Sequence, residues 1–106
     1  MISKKDNKKI GELIGAILAL KNRNEAAKFF RDLLTEKELI EFGNRWKAAR
    51  MLSKNVKYNE IEKETGLSST TVARVSKWLN SGKGGYKLML KKINHHNLSF
   101  VGKGLR

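Results

Sequence analysis

An all-α fold of six helices is predicted by three observations. The 106 residues contain no proline, apolar side chains recur at three- and four-residue steps, and Thr65-Gly66-Leu67 separates two short helical patterns. An apolar content of 40% suffices for one small domain but not for two separate cores. If six helices of this composition cannot close a core within one subunit, association of two copies supplies the missing burial.

The first helix is expected from about Asn7 to Lys21, where Ile10, Leu13, Ile14, Ile17, Leu18 and Leu20 share one broad face. Polar residues from Asn22 to Asn24 stop it, and Asn24 is positioned to cap a second helix. There Ala26, Ala27, Phe29, Phe30, Leu33 and Leu34 form an apolar surface too large to leave wet. Thr35-Glu36-Lys37-Glu38 has the form of a capping box: Thr35 can accept from the amide three residues on while Glu38 reaches back. It opens a third helix to about Lys54, with Leu39, Ile40, Phe42, Trp46, Ala49 and Leu52 as its apolar stripe and Trp46 expected in the core.

A fourth helix begins at Tyr58 and ends at Gly66, and a fifth runs from Ser68-Ser69 to about Asn80. Ser81-Gly82-Lys83-Gly84-Gly85 breaks the pattern before a last basic helix from Tyr86 to Ile93. The expected organisation is one domain over residues 1–93, with the helix pair at about 58–79, and a basic, disordered tail over 94–106.

A net charge of +13, from 23 Lys and Arg against 10 Asp and Glu, favours polyanionic partners. The absence of cysteine excludes disulfides, thiolate metal sites and a cysteine nucleophile, and fits a reducing compartment. The longest apolar stretch, Leu13 to Leu20, is far shorter than the roughly 20 residues needed to cross a bilayer, and no small-residue cleavage signature follows it. A cytoplasmic protein without membrane association is expected. The two histidines, His95 and His96, are adjacent and do not converge as a metal pair on a helix does. Glu60, Glu62 and Glu64 alternate on a short helix with no nucleophile or phosphate loop nearby, so neither a metal site nor an enzyme is expected.

The segment from Tyr58 to Lys77 meets the steric demands of a helix-turn-helix. Ile61 faces inward, Gly66 sits where positive φ is wanted, and Leu67, Val72 and Val75 give the second helix its buried side. Glu62 departs from the usual pattern, since a small residue commonly fills that inward-leaning position. Outward, the second helix presents Ser68, Ser69, Thr70, Thr71, Ala73, Arg74 and Lys77. Hydroxyls bond phosphates or base edges, Ala73 can meet a thymine methyl, and Arg74 can address guanine or the backbone. Ser69, Thr70 and Ala73 are therefore assigned to bases, and Ser68 and Lys77 mainly to phosphates. The partner expected is double-stranded DNA.

These residues carry a resemblance. Leu34-Thr35 followed by acids, Gly43-Asn44-Arg45, Glu64-Thr65-Gly66 and Thr71-Val72-Ala73-Arg74 fall in the order, and with one residue of slippage the spacing, of the Trp repressor family, most closely its YerC/YecD relatives. The chain resembles that family from Leu33 to about Leu79. The resemblance implies a six-helix subunit in an interlaced homodimer, a pseudo-palindromic operator and a role in repression.

It also implies a corepressor pocket in which an indole lies between two arginines, here Arg45 and Arg74, with Leu34 and Thr35 near the ligand's amino end. Two positions depart from that pattern. Val75 stands where the Trp repressor has glycine, and Trp78 replaces a serine three positions later. A branched Val75 intrudes on a flat pocket and Trp78 fills what remains, supplying an indole of its own, so no cofactor and no response to L-tryptophan is expected. The competing readings are a tryptophan-gated repressor of the same fold, and a ribosome- or RNA-associated basic helical protein that uses charge without base readout.

Overall fold

The computed structural model describes the backbone through Gly102 and the side chains through Asn94. Six helices follow one another: α1 (Lys4–Leu18), α2 (Arg23–Leu33), α3 (Glu36–Ser53), α4 (Tyr58–Thr65), α5 (Ser69–Ser81) and α6 (Gly85–Gly102), with no strand among the described residues. The chain divides into two compact units, Met1–Leu39 and a second beginning at Ile40.

In the first unit, local hydrogen bonds set the helix ends. Ser3 Oγ accepts from the Asp6 amide at 3.1 Å, so α1 starts and stops about one turn earlier than its apolar pattern predicts. Asn22, not Asn24, caps α2. Its Oδ1 accepts from the Glu25 amide at 2.9 Å, while the Glu25 carboxylate accepts from the Lys21 amide at 2.9 Å. Asn22 wins because Glu25 lies three residues on and can return a bond, the same reciprocity seen at Thr35 and Glu38. There the Thr35 amide donates to Glu38 Oε1 at 2.9 Å and the Glu38 amide to Thr35 Oγ1 at 3.1 Å. Neither α1 nor α2 carries a buried residue. Ile14 and Leu18 are 50% and 79% exposed, and the Phe29 and Phe30 rings are tilted by 56° with their centres 5.7 Å apart.

The second unit holds the core. Ala48 and Ala49 of α3, Ile61 of α4, Leu67 of the turn, and Val72 and Val75 of α5 form one buried cluster, against which Trp46, Met51, Leu52, Val56 and Tyr86 pack. The two alanines are α3's fully buried contribution to that cluster, and the spacing of Val72, Val75 and Leu79 places all three on one face of α5. α3 ends where Asn55 takes a left-handed conformation (φ 63°) and the Val56 amide returns to the Met51 carbonyl at 3.1 Å. α6 runs on past Ile93 to Gly102, since neither proline nor glycine interrupts residues 86–101. The remainder of the expected tail, and the His95 and His96 side chains, lie outside the described residues.

Candidate nucleic-acid interface

The turn between α4 and α5 is built by three side-chain and backbone choices. Gly66 adopts φ 75° and ψ 3°, a left-handed conformation that costs an L-residue about 1–2 kcal/mol, and its amide closes α4 on the Glu62 carbonyl at 2.8 Å. Thr65 is the one buried polar side chain among the described residues. Its hydroxyl donates to the Ile61 carbonyl at 2.7 Å and accepts from the Leu67 amide at 3.2 Å, so both of its polar capacities are met without water. Leu67 then enters the core and Ser68 opens the next helix.

Ser68 caps α5. Its Oγ accepts from the Thr71 amide at 3.1 Å and donates to Thr71 Oγ1 at 3.0 Å. The Ser68 hydroxyl thereby holds the helix start. Thr71 is half-buried beside it, whereas Ser69, Thr70, Ala73, Arg74 and Lys77 are exposed. The outward face of α5 is small and hydroxylated through its first turn and cationic beyond it. Of the amides of that first turn, that of Thr71 is taken by Ser68 Oγ, whereas those of Ser69 and Thr70 have no intrahelical acceptor and are left for an anion. No acidic residue follows Glu64, and Glu64 itself pairs back with Lys47 of α3 at 3.5 Å. Glu62 is half-buried.

The residues assigned to a ligand pocket are divided between the two units. Leu34 and Thr35 belong to the first unit, where Leu34 ends α2 and Thr35 is spent on the capping box. Val75 is fully buried in the core cluster, so its branched side chain faces packed neighbours and not an open pocket. Arg74 stands exposed on α5. Arg45 and Trp78 do meet: the Arg45 guanidinium lies 5.9 Å from the Trp78 ring centre and 5.6 Å from that of Phe42. Both distances fall within the range in which a cation is attracted to a ring face. Arg45 Nε is 3.4 Å from Glu41 Oε2, but it is buried and not aligned for a hydrogen bond with that carboxylate or any other acceptor.

Beside this contact, Trp46 and Tyr86 stack at 6.3 Å with their planes 21° apart. With Trp78, Lys83, Gly85 and Met89 they line an open, apolar pocket of about 500 Å³. Trp46 is thus half-buried at the edge of the core and shares in a pocket, where the sequence placed it inside. Burial pushes the Tyr86 hydroxyl above its usual pKa, against the opposing pull of Arg45. Tyr86, Met89 and Lys83 were not singled out in the sequence as pocket residues. Their one signal was position, since Lys83 lies within the glycine break after α5 and Tyr86 and Met89 follow it.

Comparison with known proteins agrees with this geometry. Residues 8–94 match the family described as Trp repressor protein. The uncharacterized protein YerC of Bacillus subtilis is 38% identical over 92 residues, covering 87% of this chain and 88% of the relative. A solved structure of a TrpR-like protein from Eubacterium eligens superposes with a TM-score of 0.78 at 34% identity, covering 82% of this chain and 90% of its own. A candidate Trp repressor from Staphylococcus aureus gives 0.78 at 33% identity, with 88% and 96% covered.

Proposed function

We propose that this chain, which belongs to the Trp repressor family, is a cytoplasmic, sequence-specific regulator of transcription that binds double-stranded DNA as a homodimer and represses by occupying an operator. The observation that carries this reading is the start of α5. A left-handed Gly66 and a Ser68 cap fix a helix whose core face is Val72, Val75 and Leu79 and whose opposite face is Ser69, Thr70, Ala73, Arg74 and Lys77. A helix so presented enters a major groove by its first turn, with hydroxyls and a methyl at base edges and cations at phosphates. Ser69, Thr70 and Ala73 are the base-contacting residues in this proposal. Arg74 and Lys77 hold the backbone, and Ser68, by capping the helix, contributes by aiming the Ser69 and Thr70 amides.

The homodimer is supported by the first unit, whose two helices contain no fully buried residue within the subunit. Two-fold symmetry then calls for a pseudo-palindromic operator with half-sites about one helical turn apart. Free tryptophan is not required in this reading, because Val75 is locked into the core and an indole of the chain already lies under Arg45. No catalysis is proposed; among the described residues no cluster of three or more metal-ligating side chains occurs.

Selection of binding sites from random duplex DNA, with and without L-tryptophan, tests the proposal. One enriched palindromic sequence, found equally in both arms, is expected. Equal affinity for all duplexes, or preference for RNA, overturns it, and enrichment only with tryptophan restores the gated alternative. On the selected site, Thr70→Ala should lose affinity by about tenfold or more while leaving random DNA unaffected. Lys77→Ala should weaken both and lower the salt slope by about one unit.

A further inference from the structure

Beyond Glu64 the cations of this chain have no counterpart within it. Among the described residues, ion pairs join Lys9 to Asp6, Arg45 to Glu41 and Lys47 to Glu64, and none includes a residue past Glu64, where the sequence holds no acid. Helix electrostatics does not call for cations there either. Each of α1 to α4 has acid in its first turn, Asp6, Glu25, Glu36 with Glu38, and Glu60, as the positive end of a helix dipole favours. α6 has Lys83 just before its start and Lys87 within its first turn, with no acid to offset them. These lysines serve neither an internal ion pair nor the helix that carries them.

Their placement follows from what α6 buries. Leu90 is buried and Tyr86 and Ile93 are half-buried, at the four- and three-residue steps of one helix face. Lys87, Lys91 and Lys92 fall outside that face and are exposed, as is Lys83 in the turn. α6 packs on α5, and the exposed cations Arg74 and Lys77 of α5 lead through that turn to Lys83 with no acid between them. The chemistry of the surface is simple. From Lys87 to Lys92 the exposed side chains are three lysines, Leu88 and Met89, with no amide, hydroxyl or guanidinium among them. Base edges are told apart by such groups, whereas a lysine ammonium acts on a phosphate as a point charge.

We propose that Lys87, Lys91 and Lys92 of α6, with Lys83 of the preceding turn, form a second DNA surface that grips backbone phosphates flanking the half-site read by α5. The inference rests on the reading of this chain as a DNA-binding protein. Lys87 and Lys91 are separated by about 6 Å of helix rise, and a duplex carries one charge per about 1.7 Å of axis, so each lysine can meet a phosphate of its own. Such contacts release counterions and add affinity on any sequence. Choice of site then belongs to α5, and α6 holds the duplex on either side of it.

The test compares the full-length chain with a Lys87→Gln/Lys91→Gln/Lys92→Gln variant, which leaves the inward face of α6 untouched, on duplexes extending about ten base pairs beyond the selected site. The salt slope should fall by about 0.9 per lost contact, about 2.7 for one subunit. A roughly fourfold rise in salt then costs the wild type about 40-fold more affinity than the variant. Hydroxyl-radical footprints of the variant should lose protection outside the palindrome, while its preference for the selected site over random DNA stays that of the wild type. Replacing the same three lysines by arginine should preserve slope and footprint. An unchanged slope and footprint in the Gln variant, or a loss confined to the selected sequence, overturns the proposal. So does adsorption to phosphatidylglycerol vesicles that the Gln variant loses while its DNA binding stays intact. Thr70→Ala should keep the flanking protection. If the wild type binds all duplexes equally and the Gln variant still lowers the slope, the reading of α5 fails and the α6 surface stands; a wild type that binds no duplex overturns both.

Discussion

The two units of this chain use apolar residues in opposite ways. In the unit that begins at Ile40, small and branched side chains at helix contacts are fully removed from water: Ala48, Ala49, Ile61, Val72 and Val75 have no exposed surface. In Met1–Leu39, larger apolar side chains are just as regularly spaced, yet Ile10, Ile14, Leu18 and Leu33 stay exposed. The two helices of the first unit are well capped, by Ser3 and Asn22. Capping contributes about 1 kcal/mol per helix and cannot replace the burial that stabilises short helices in water. The second unit thus carries its own core, whereas the first carries a surface in need of one. Under the proposed dimer that surface is the interface.

The contrast yields predictions in descending order of effect. Ile61→Ala, which opens a cavity in the filled core, should lower the free energy of unfolding by about 2–5 kcal/mol in a denaturant titration. The matched change in the first unit behaves differently. Ile14→Asp should leave helix content at high protein concentration intact but raise the dimer dissociation constant about 100-fold, read by sedimentation. An unchanged sedimentation profile would remove the interlaced arrangement. Gly66→Ala, at φ 75° with open space around the position, should cost about 1–2 kcal/mol through backbone strain alone. A neutral result would mean that the turn relaxes.

The smallest effect concerns Tyr86. Its folded pKa is raised above the ordinary 10.0 by burial, so the neutral phenol is the favoured form. Its contribution to stability is full below pH about 10 and is lost as pH rises through the folded value. Melting temperature should therefore fall at alkaline pH, and Tyr86→Phe should flatten that part of the profile.

What could be read from the sequence was what short spacing determines. Thr35 and Glu38, Gly66, and the inward set Ile61, Leu67, Val72 and Val75 are local patterns, and each occupies the place its spacing predicts. The cap of α2 was misplaced because Asn22 and Asn24 are alike as acceptors and only the reciprocal bond with Glu25 separates them. Val75 answered two expectations, one from periodicity that it packs inward and one from resemblance that it crowds a pocket. Its burial in the core follows the periodicity. The stack of Trp46 on Tyr86 spans forty residues and left no local trace, since nothing in either segment specifies the other. Ser68 was read both as a cap and as a phosphate contact, and the helix start shows the cap.

The absence of acid after Glu64 bears on arrival as well as on binding. Eight Lys and Arg and no Asp or Glu lie in the last 42 residues, which carry +8 of the chain's +13. A molecule so polarised experiences a torque in the field of any polyanion and turns its C-terminal segment toward it before contact. Encounters are thereby pre-oriented, and their rate falls steeply as added salt shortens the reach of that field to about 10 Å at 0.1 M.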